Sequence, residues 1–302
     1  MTTPVGVVLA REGGAYRVLV DGVERQAILR GKAKRERDRA VAGDRVRFDP
    51  ATMTEDVLGI EAVEPRTSLL ERRIPDGRGT RPVAANVDKV VVVIAAADPA
   101  PIPQLLDRLL VVAEANDIPA VVVINKVDLA PATDVVAHLA ASGYEIVLTA
   151  AKRGDGLEQL RNVLSGKVSV FTGPSGAGKS SLMNALEPGL GLRIGEVSAK
   201  LRRGTHTTVS AIMVPLAIGG FVVDTPGFSE VGMWAIDRAH LDECFPEFRP
   251  VIGDCRFDDC THRTEPGCAV RALIESAVVP RTRYDTYLAL HAELADLPED
   301  WE

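Results

Sequence analysis

The segment Gly173–Ser180 reads GPSGAGKS and constrains the fold more than any other stretch of the chain. It fits G-x-x-x-x-G-K-[ST], follows the apolar run Val168–Phe171 and precedes a stretch of helical character, Ser181–Leu186. A strand, a glycine loop and a helix in that order form a phosphate cradle. The glycines let the backbone curl until its N–H groups converge on phosphate oxygens, and the helix N-terminus adds a favourable dipole. Gly173, Pro174, Ser175, Gly176, Ala177, Gly178, Lys179, Ser180 and Ser181 are therefore candidate nucleotide contacts. Lys179 would reach the β- and γ-phosphates, and the Ser180 hydroxyl would ligate Mg²⁺.

That strand has company. Apolar runs recur at Val90–Ala97, Val121–Ile124, Ile146–Leu148 and Phe221–Val223, with helical stretches such as Gln104–Ala115 and Thr133–Ala141 between most of them. Continuous apolar strands alternating with amphipathic helices predict an α/β domain over about 83–235, its parallel sheet covered on both faces. In such sheets the chemistry sits at the carboxyl ends of the strands. Two further motifs fall there. Asn125-Lys126-Val127-Asp128 (NKVD) follows Val121–Ile124. A carboxylate at Asp128 can accept from N1 and N2 of guanine, whereas adenine would leave it unpaired, at a cost that selects guanine. Asn125 can bond the base and tie loops together, and the Lys126 stem can cover the ring. After Ile146–Leu148, the segment Thr149-Ala150-Ala151-Lys152 can supply a backbone N–H to guanine O6. Asp224-Thr225-Pro226-Gly227 (DTPG) ends the strand Phe221–Val223. Asp224 there can hold the Mg²⁺ shell, and the N–H of Gly227 can bond a γ-phosphate because glycine allows close approach.

The order of these motifs is unusual. In ordinary small GTPases the phosphate loop comes first and the guanine loop later, whereas here 125–128 and 149–151 precede 173–180 and 224–227. The order is that of a circular permutation, which parallel-sheet geometry tolerates if the old termini lie close together.

At 302 residues the chain is long enough for two or three domains. Residues 1–80 carry short strands at Val5–Ala10, Tyr16–Val20, Val23–Leu29 and Asp44–Phe48, with turn signals at Glu12-Gly13-Gly14 and Asp21-Gly22. Strands of this spacing suggest a small barrel of the OB type. Arg72–Pro82, rich in Gly, Pro and Arg, has the composition of a linker. Residues 1–82 hold 16 Lys and Arg against 13 Asp and Glu, while the remainder is strongly acidic, so any nucleic-acid contact is expected at the basic head. A wholly disordered chain is excluded by an apolar fraction of 46%. The longest apolar run is too short for a bilayer, and the N-terminus lacks the pattern of a secretory signal. Four cysteines do not make a disulfide scaffold, so a cytoplasmic protein is expected.

Residues 236–302 carry Cys255, Cys260, His262 and Cys268 in the spacing C-x4-C-x-H-x5-C, with a helix expected over Arg281–Ala295. Three thiols and an imidazole are the ligand number of a closed tetrahedral zinc site. Four protein ligands leave no open position, which marks the metal as structural. Cys244 lies outside the spacing and reads as a buried thiol.

Taken together, these features resemble the RsgA (YjeQ) family, circularly permuted GTPases that depend on the small ribosomal subunit. The likeness covers nearly the whole chain: an OB-like barrel, the permuted GTPase and a mainly helical zinc-binding region. It implies GTP hydrolysis to GDP, slow alone and stimulated by the small (30S) subunit, in late maturation of that subunit. Nucleotide state would be coupled to binding and release. It further implies rRNA contacts through the barrel and zinc region. Mg²⁺ with GTP, one structural Zn²⁺ and no membrane are expected from the motifs and apolar runs above, and a monomer is expected. The family's switch sequence is similar to Gly204-Thr205-His206-Thr207-Thr208. Thr208 is the first choice for the threonine that meets Mg²⁺ and Thr207 the second. Thr205 stands where relatives often have Arg, and Val209 where many have a third Thr. Phe228 takes the place of the glutamine that orients water in Ras-like enzymes, so intrinsic hydrolysis should be slow. His206 is a candidate for that role, or else contacts RNA or packs in its loop. Competing readings are an RNA-binding module that uses GTP as an occupancy signal, a zinc-dependent RNA hydrolase, and a signalling GTPase. The closed metal site weighs against the hydrolase, and the lack of a lipidation motif denies the signalling GTPase a membrane anchor.

Overall fold

The valine run at 90–93 sets the centre of the molecule. In this computed structural model, which describes residues 4–31, 33, 40–73, 80–190, 211–225 and 236–296, strand β8 (Lys89–Ala95) is buried along almost its whole length. It lies between β9 (Ala120–Asn125) and β11 (Val168–Thr172), both parallel to it. Successive side chains point to opposite faces, and each face has its own core. Val90, Val92 and Ile94 pack with Leu106, Leu109 and Leu110 of α1 (Pro103–Ala115) and Val135 of α2 (Thr133–His138). Val91 and Val93 pack with Leu157 and Leu160 of α3 (Leu157–Leu164) and Leu182 and Leu186 of α4 (Lys179–Leu186). Helices on both faces explain why the strands are continuously apolar.

The sheet continues with β10 (Glu145–Thr149) outside β9 and β13 (Phe221–Asp224) beside β11, giving five parallel strands in the order β10-β9-β8-β11-β13. A sixth, β12 (Ile212–Pro215), runs antiparallel to β13. The sequence pattern does not predict β12, whose four residues are too few to show a period.

The N-terminal strands β1 (Val5–Glu12), β2 (Ala15–Val20) and β3 (Val23–Leu29) form the expected hairpins. Asp21 and Gly22 both take positive φ, 49° and 78°, as a two-residue turn in a right-twisted hairpin requires. The strand β5 (Val57–Val63), absent from the sequence prediction, pairs parallel to β3 and antiparallel to β4 (Arg45–Phe48). β4 returns to β1 and closes a five-stranded barrel around Val8, Val18, Phe48, Leu58 and Ile60. β1 also pairs with β12 at Ala10 and Ile212, so barrel and parallel sheet share one run of hydrogen-bonded strands.

The expected linker at 72–82 is structured at both ends. β6 (Leu69–Arg73) and β7 (Thr80–Ala85) pair antiparallel, and Leu70 and Ala84 are fully buried in the core that contains α1. Composition suggested a loop because apolar anchors lie outside the Gly- and Arg-rich stretch. Asn116, which caps α1, accepts from the N–H of Glu71 at 3.2 Å and fixes the hairpin to the helix. Asn86 secures the barrel in turn, donating to Gly43 O at 2.9 Å and accepting from Thr67 N–H at 2.9 Å.

Beyond residue 236 short 3-10 turns lead to α5 (Ala269–Glu275) and α6 (Arg281–Asp296). Phe245, Phe248, Tyr287 and Leu290 form their core, which Val111 of α1 joins. A buried polar network spans the same junction. Arg283 of α6 pairs with Glu247 at 2.6 and 2.9 Å and with Asp107 of α1 at 2.7 Å. His138 of α2 bridges Asp107 (2.8 Å) and Thr282 (2.7 Å). Among the described residues no helix is long and apolar enough to cross a membrane.

Candidate nucleotide site and metal-ligand group

The carboxyl ends of β9 and β10 lie abreast, Asn125 opposite Thr149. Asn125 is only 1% exposed, and its amide is the hub of the site. Nδ2 donates to Ala177 O of the glycine loop at 3.0 Å. Oδ1 accepts from Thr149 Oγ1 at 3.2 Å and from the N–H of Ala151 at 3.1 Å. One side chain thus joins the three loops that the sequence assigned to phosphate and base.

The glycine loop rests on those strand ends closely enough to explain its composition. A Cβ on Gly173 (φ +138°) would stand 1.9 Å from Val93 O, and one on Gly178 (φ +93°) 2.2 Å from Asn125 Nδ2. Only glycine takes such φ without strain and leaves room for the approach. Ala177 is buried, whereas Ser175, Gly176, Ser180 and Ser181 face outward. Lys179 opens α4 and donates back to the carbonyls of Gly173 (2.5 Å) and Pro174 (3.0 Å). Burial pushes its ammonium pKa below the usual lysine value, and the Asp224 carboxylate at the end of β13 opposes that drop. An ammonium that is partly desolvated at the head of a glycine loop suits a polyanionic ligand.

In the NKVD segment Lys126 takes a positive φ of 64° and its ammonium bonds Asp98 O. Val127 N–H donates to Thr149 O at 3.2 Å, and Asp128 stands exposed at the loop tip. Within Thr149–Lys152 the backbone N–H groups are not equivalent. The N–H of Ala150 is taken by Asp155 O (3.1 Å) and that of Ala151 by Asn125. Within Ala150–Lys152, the N–H of Lys152 has no acceptor among the described residues. The sequence could not show this, because one of the acceptors comes from another strand. It also overlooked Asp98 and Pro99. They follow β8, and Pro99 Cδ lies 3.2 Å from where a Cβ on Gly176 would be. The rule that chemistry gathers at strand carboxyl ends would have pointed to them. Gly227 and Phe228, together with Gly204, Thr205, His206, Thr207 and Thr208, lie outside the described residues.

The second cluster also assembles. The donor atoms of Cys255, Cys260, His262 and Cys268 all lie within 4.8 Å of one another and could hold a metal ion. A tetrahedral thiolate site with bonds of about 2.3 Å has sulfurs about 3.8 Å apart, inside that 4.8 Å limit, so the donor set and its spacing are compatible with a zinc ion. Nδ1 of His262 faces Cys255 (3.5 Å) and Cys268 (3.4 Å), while Nε2 meets Asp242 Oδ2 at 3.0 Å. A carboxylate behind a ligating imidazole fixes its tautomer and orientation. Asp242 has no sequence signal, being 20 residues from its partner. Glu265 shapes the connecting turn by accepting from Thr261 N–H and Oγ1 and from the N–H groups of Arg263 and Thr264. Tyr284 and Tyr287 hold it to α6 through the carbonyls of His262 (2.7 Å) and Thr261 (2.8 Å).

Proton affinities follow these contacts. Burial lowers the His262 pKa, but Asp242 and the thiols outweigh it and raise it to about 9. Burial, with help from Cys268 and Cys255, pushes the Cys260 thiol up to about 12. Burial raises Cys255 as well, yet the N–H groups of Ala269 and Val270 bring it below the ordinary thiol value. Cys244 is buried apart from the group, and burial pushes it up to about 12, as befits an inert thiol.

Residues 63–234 match the family model described as RsgA GTPase. The small ribosomal subunit biogenesis GTPase RsgA of Gemmatimonas aurantiaca is 47% identical over 301 residues, covering 97% of this chain and 98% of that protein. The protein of the same name from Moorella thermoacetica is 42% identical over 291 residues, covering 96% and 97%. Among solved structures, YjeQ from Thermotoga maritima superposes with a TM-score of 0.80 at 32% identity, over 98% of this chain and 100% of that one. YloQ, a circularly permuted GTPase, gives 0.77 at 28%, over 99% and 97%. A permuted motif order, a barrel before the parallel sheet, a Cys/His group after it and likeness along nearly the full length leave one assignment: the chain belongs to the RsgA GTPase family.

Proposed function

We propose that this protein hydrolyses GTP to GDP in late maturation of the small ribosomal subunit, with turnover stimulated by that subunit and nucleotide state coupled to binding and release. The observation that carries the chemical part is the Asn125 hub, which joins the phosphate loop to both base-facing loops at the carboxyl edge of the sheet. Family membership and the names of the relatives support the ribosomal part.

In this reading the loop from Gly173 to Gly178 receives the phosphates, Lys179 neutralises the β- and γ-oxygens, and Asp128 reads guanine. Ser180, a switch threonine (Thr208 before Thr207) and Asp224 would hold the magnesium, and Gly227 would sense the γ-phosphate. A magnesium ion held there would supply charge neutralisation to the phosphates. With Phe228 after the DTPG segment, no side chain there can orient water, so hydrolysis waits on the activator; His206 is the candidate for positioning water. The Cys/His group holds one structural zinc. We assign the barrel to 1–80, the GTPase to 83–235 and the zinc region to 236–302, and place the protein in the cytoplasm as a monomer.

Phosphate release from GTP and ATP, with and without purified small subunits, tests the proposal. Strong stimulation with GTP alone is expected. Equal use of ATP would overturn the roles of Asn125 and Asp128. Tight GTP binding without stimulation would refute the coupling to the subunit.

A further inference from the structure

The face of the sheet that packs on α1 is apolar along β11 and β13 until the strands end. Val168 and Val170 on β11, with Phe221 and Val223 on β13, belong to that core. Val168 lies opposite Phe221, and Val170 opposite Val223. Two residues further along, on the same face, come Thr172, opposite Val92 of β8, and Thr225, the residue after β13. Both threonines are buried, and neither hydroxyl has a hydrogen-bond partner among the described residues. Ile94 and Ala211, at the same edge, are apolar and offer no side-chain acceptor.

Five threonines are buried among the described residues. Three have bonded hydroxyls: Thr52 with Asp49 O and the N–H of Gly59, Thr149 with Asn125, and Thr286 with Thr282 O. The two without partners are the two in register. A buried hydroxyl left unpaired is costly, and valine would fill the same volume without that cost. Adjacent strands run about 4.8 Å apart, so turning one threonine about χ1 brings its hydroxyl onto the other. Their places in the chain say what such a bond would set. Thr172 precedes Gly173, which opens the phosphate loop, and Thr225 stands between Asp224 and the Pro226-Gly227 step of the DTPG motif. The close approach of Gly173 to Val93 O fixes the first of these roots, so a bond between the hydroxyls draws the second towards it.

We propose that Thr172 and Thr225 are positioning residues for the γ-phosphate: with GTP bound, one hydroxyl donates to the other and ties the root of the DTPG segment to the root of the phosphate loop. The bond sets where the N–H of Gly227 meets the γ-phosphate. It is not made with GDP, which has no γ-phosphate to hold the segment in place. The inference rests on the GTPase reading of the site and adds to it two residues that act through Gly227.

The test uses the zinc-loaded full-length protein carrying Thr172→Val, Thr225→Val, both together, Thr172→Ser or Thr225→Ser. Affinities for GDP and for a non-hydrolysable GTP analogue with Mg²⁺ are measured by calorimetry, turnover with purified small subunits, and Tm by thermal unfolding. Each valine variant should bind GDP within about twofold of the parent but the analogue about fivefold more weakly, with kcat lowered. Its Tm should stay level or rise, because the bond is absent without the γ-phosphate and an unpaired hydroxyl has been removed. The double variant should match the single ones, since both lose the same bond, and the serine variants should keep the parent's preference for the analogue. A role in packing alone would instead move Tm and GDP affinity. An unchanged preference for the analogue in the valine variants, equal loss of both nucleotides, or a double variant weakened about 25-fold would each overturn the proposal. The affinity ratio needs neither turnover nor subunit, so its failure is distinct from failure of the GTPase reading, which the parent's own phosphate release tests.

Discussion

Replacing Asn125 with Ala removes three hydrogen bonds at once, to Ala177 O, Thr149 Oγ1 and Ala151 N–H. Each buried bond is worth about 1 kcal/mol net, so the variant should lose about 3 kcal/mol of loop organisation. At 1.4 kcal/mol per decade that is about a hundredfold in nucleotide affinity. Thr149→Val removes one of the three and should cost about 1 kcal/mol, or about fivefold. Titration of a fluorescent GDP analogue measures both, with thermal unfolding run alongside to separate lost binding from lost fold. The reasoning is refuted if Asn125→Ala binds within about threefold of the parent, or if Thr149→Val falls as far as Asn125→Ala.

Zinc uptake at pH 7 should release at least two protons, because His262 (about 9) and Cys260 (about 12) both hold one there without metal. Affinity should therefore rise with pH from 6 to 8 in chelator competition, and a flat profile would contradict the proton assignments. Asp242→Asn, which weakens the support behind His262, should lower zinc affinity about 10- to 100-fold. Arg283→Met leaves Asp107 and Glu247 buried without their cation and should cost about 3–5 kcal/mol in urea unfolding; a loss under about 1 kcal/mol would show the network to be dispensable. Gly43→Ala places a Cβ 2.0 Å from Ala85 O at φ +93° and should cost more than the about 1–3 kcal/mol of backbone strain alone. Gly13→Ala, with φ +67° but open space, is its control, and equal shifts in Tm would remove the clash from the account.

Parts whose chemistry is local can be read from the order of residues alone. A glycine loop between strand and helix, the NKVD turn, the Cys/His spacing and the Asp21-Gly22 hairpin are legible because their backbone requirements lie within a few residues. The order of the motifs also fixed the permuted topology, since each stands at the end of its own apolar strand. What those parts touch is set by packing. Asp242 stands behind His262, Glu247 and Asp107 meet Arg283, and Asn125 fills the acceptor needs of a loop on the next strand. The tertiary structure also showed that β12 meets β1, and that the hairpin around the presumed linker is anchored by Leu70 and Ala84. These contacts join residues tens to more than a hundred positions apart. A polar side chain carries no local mark of whether its partner will be water or a buried group on another element, and that choice is made only when the elements pack.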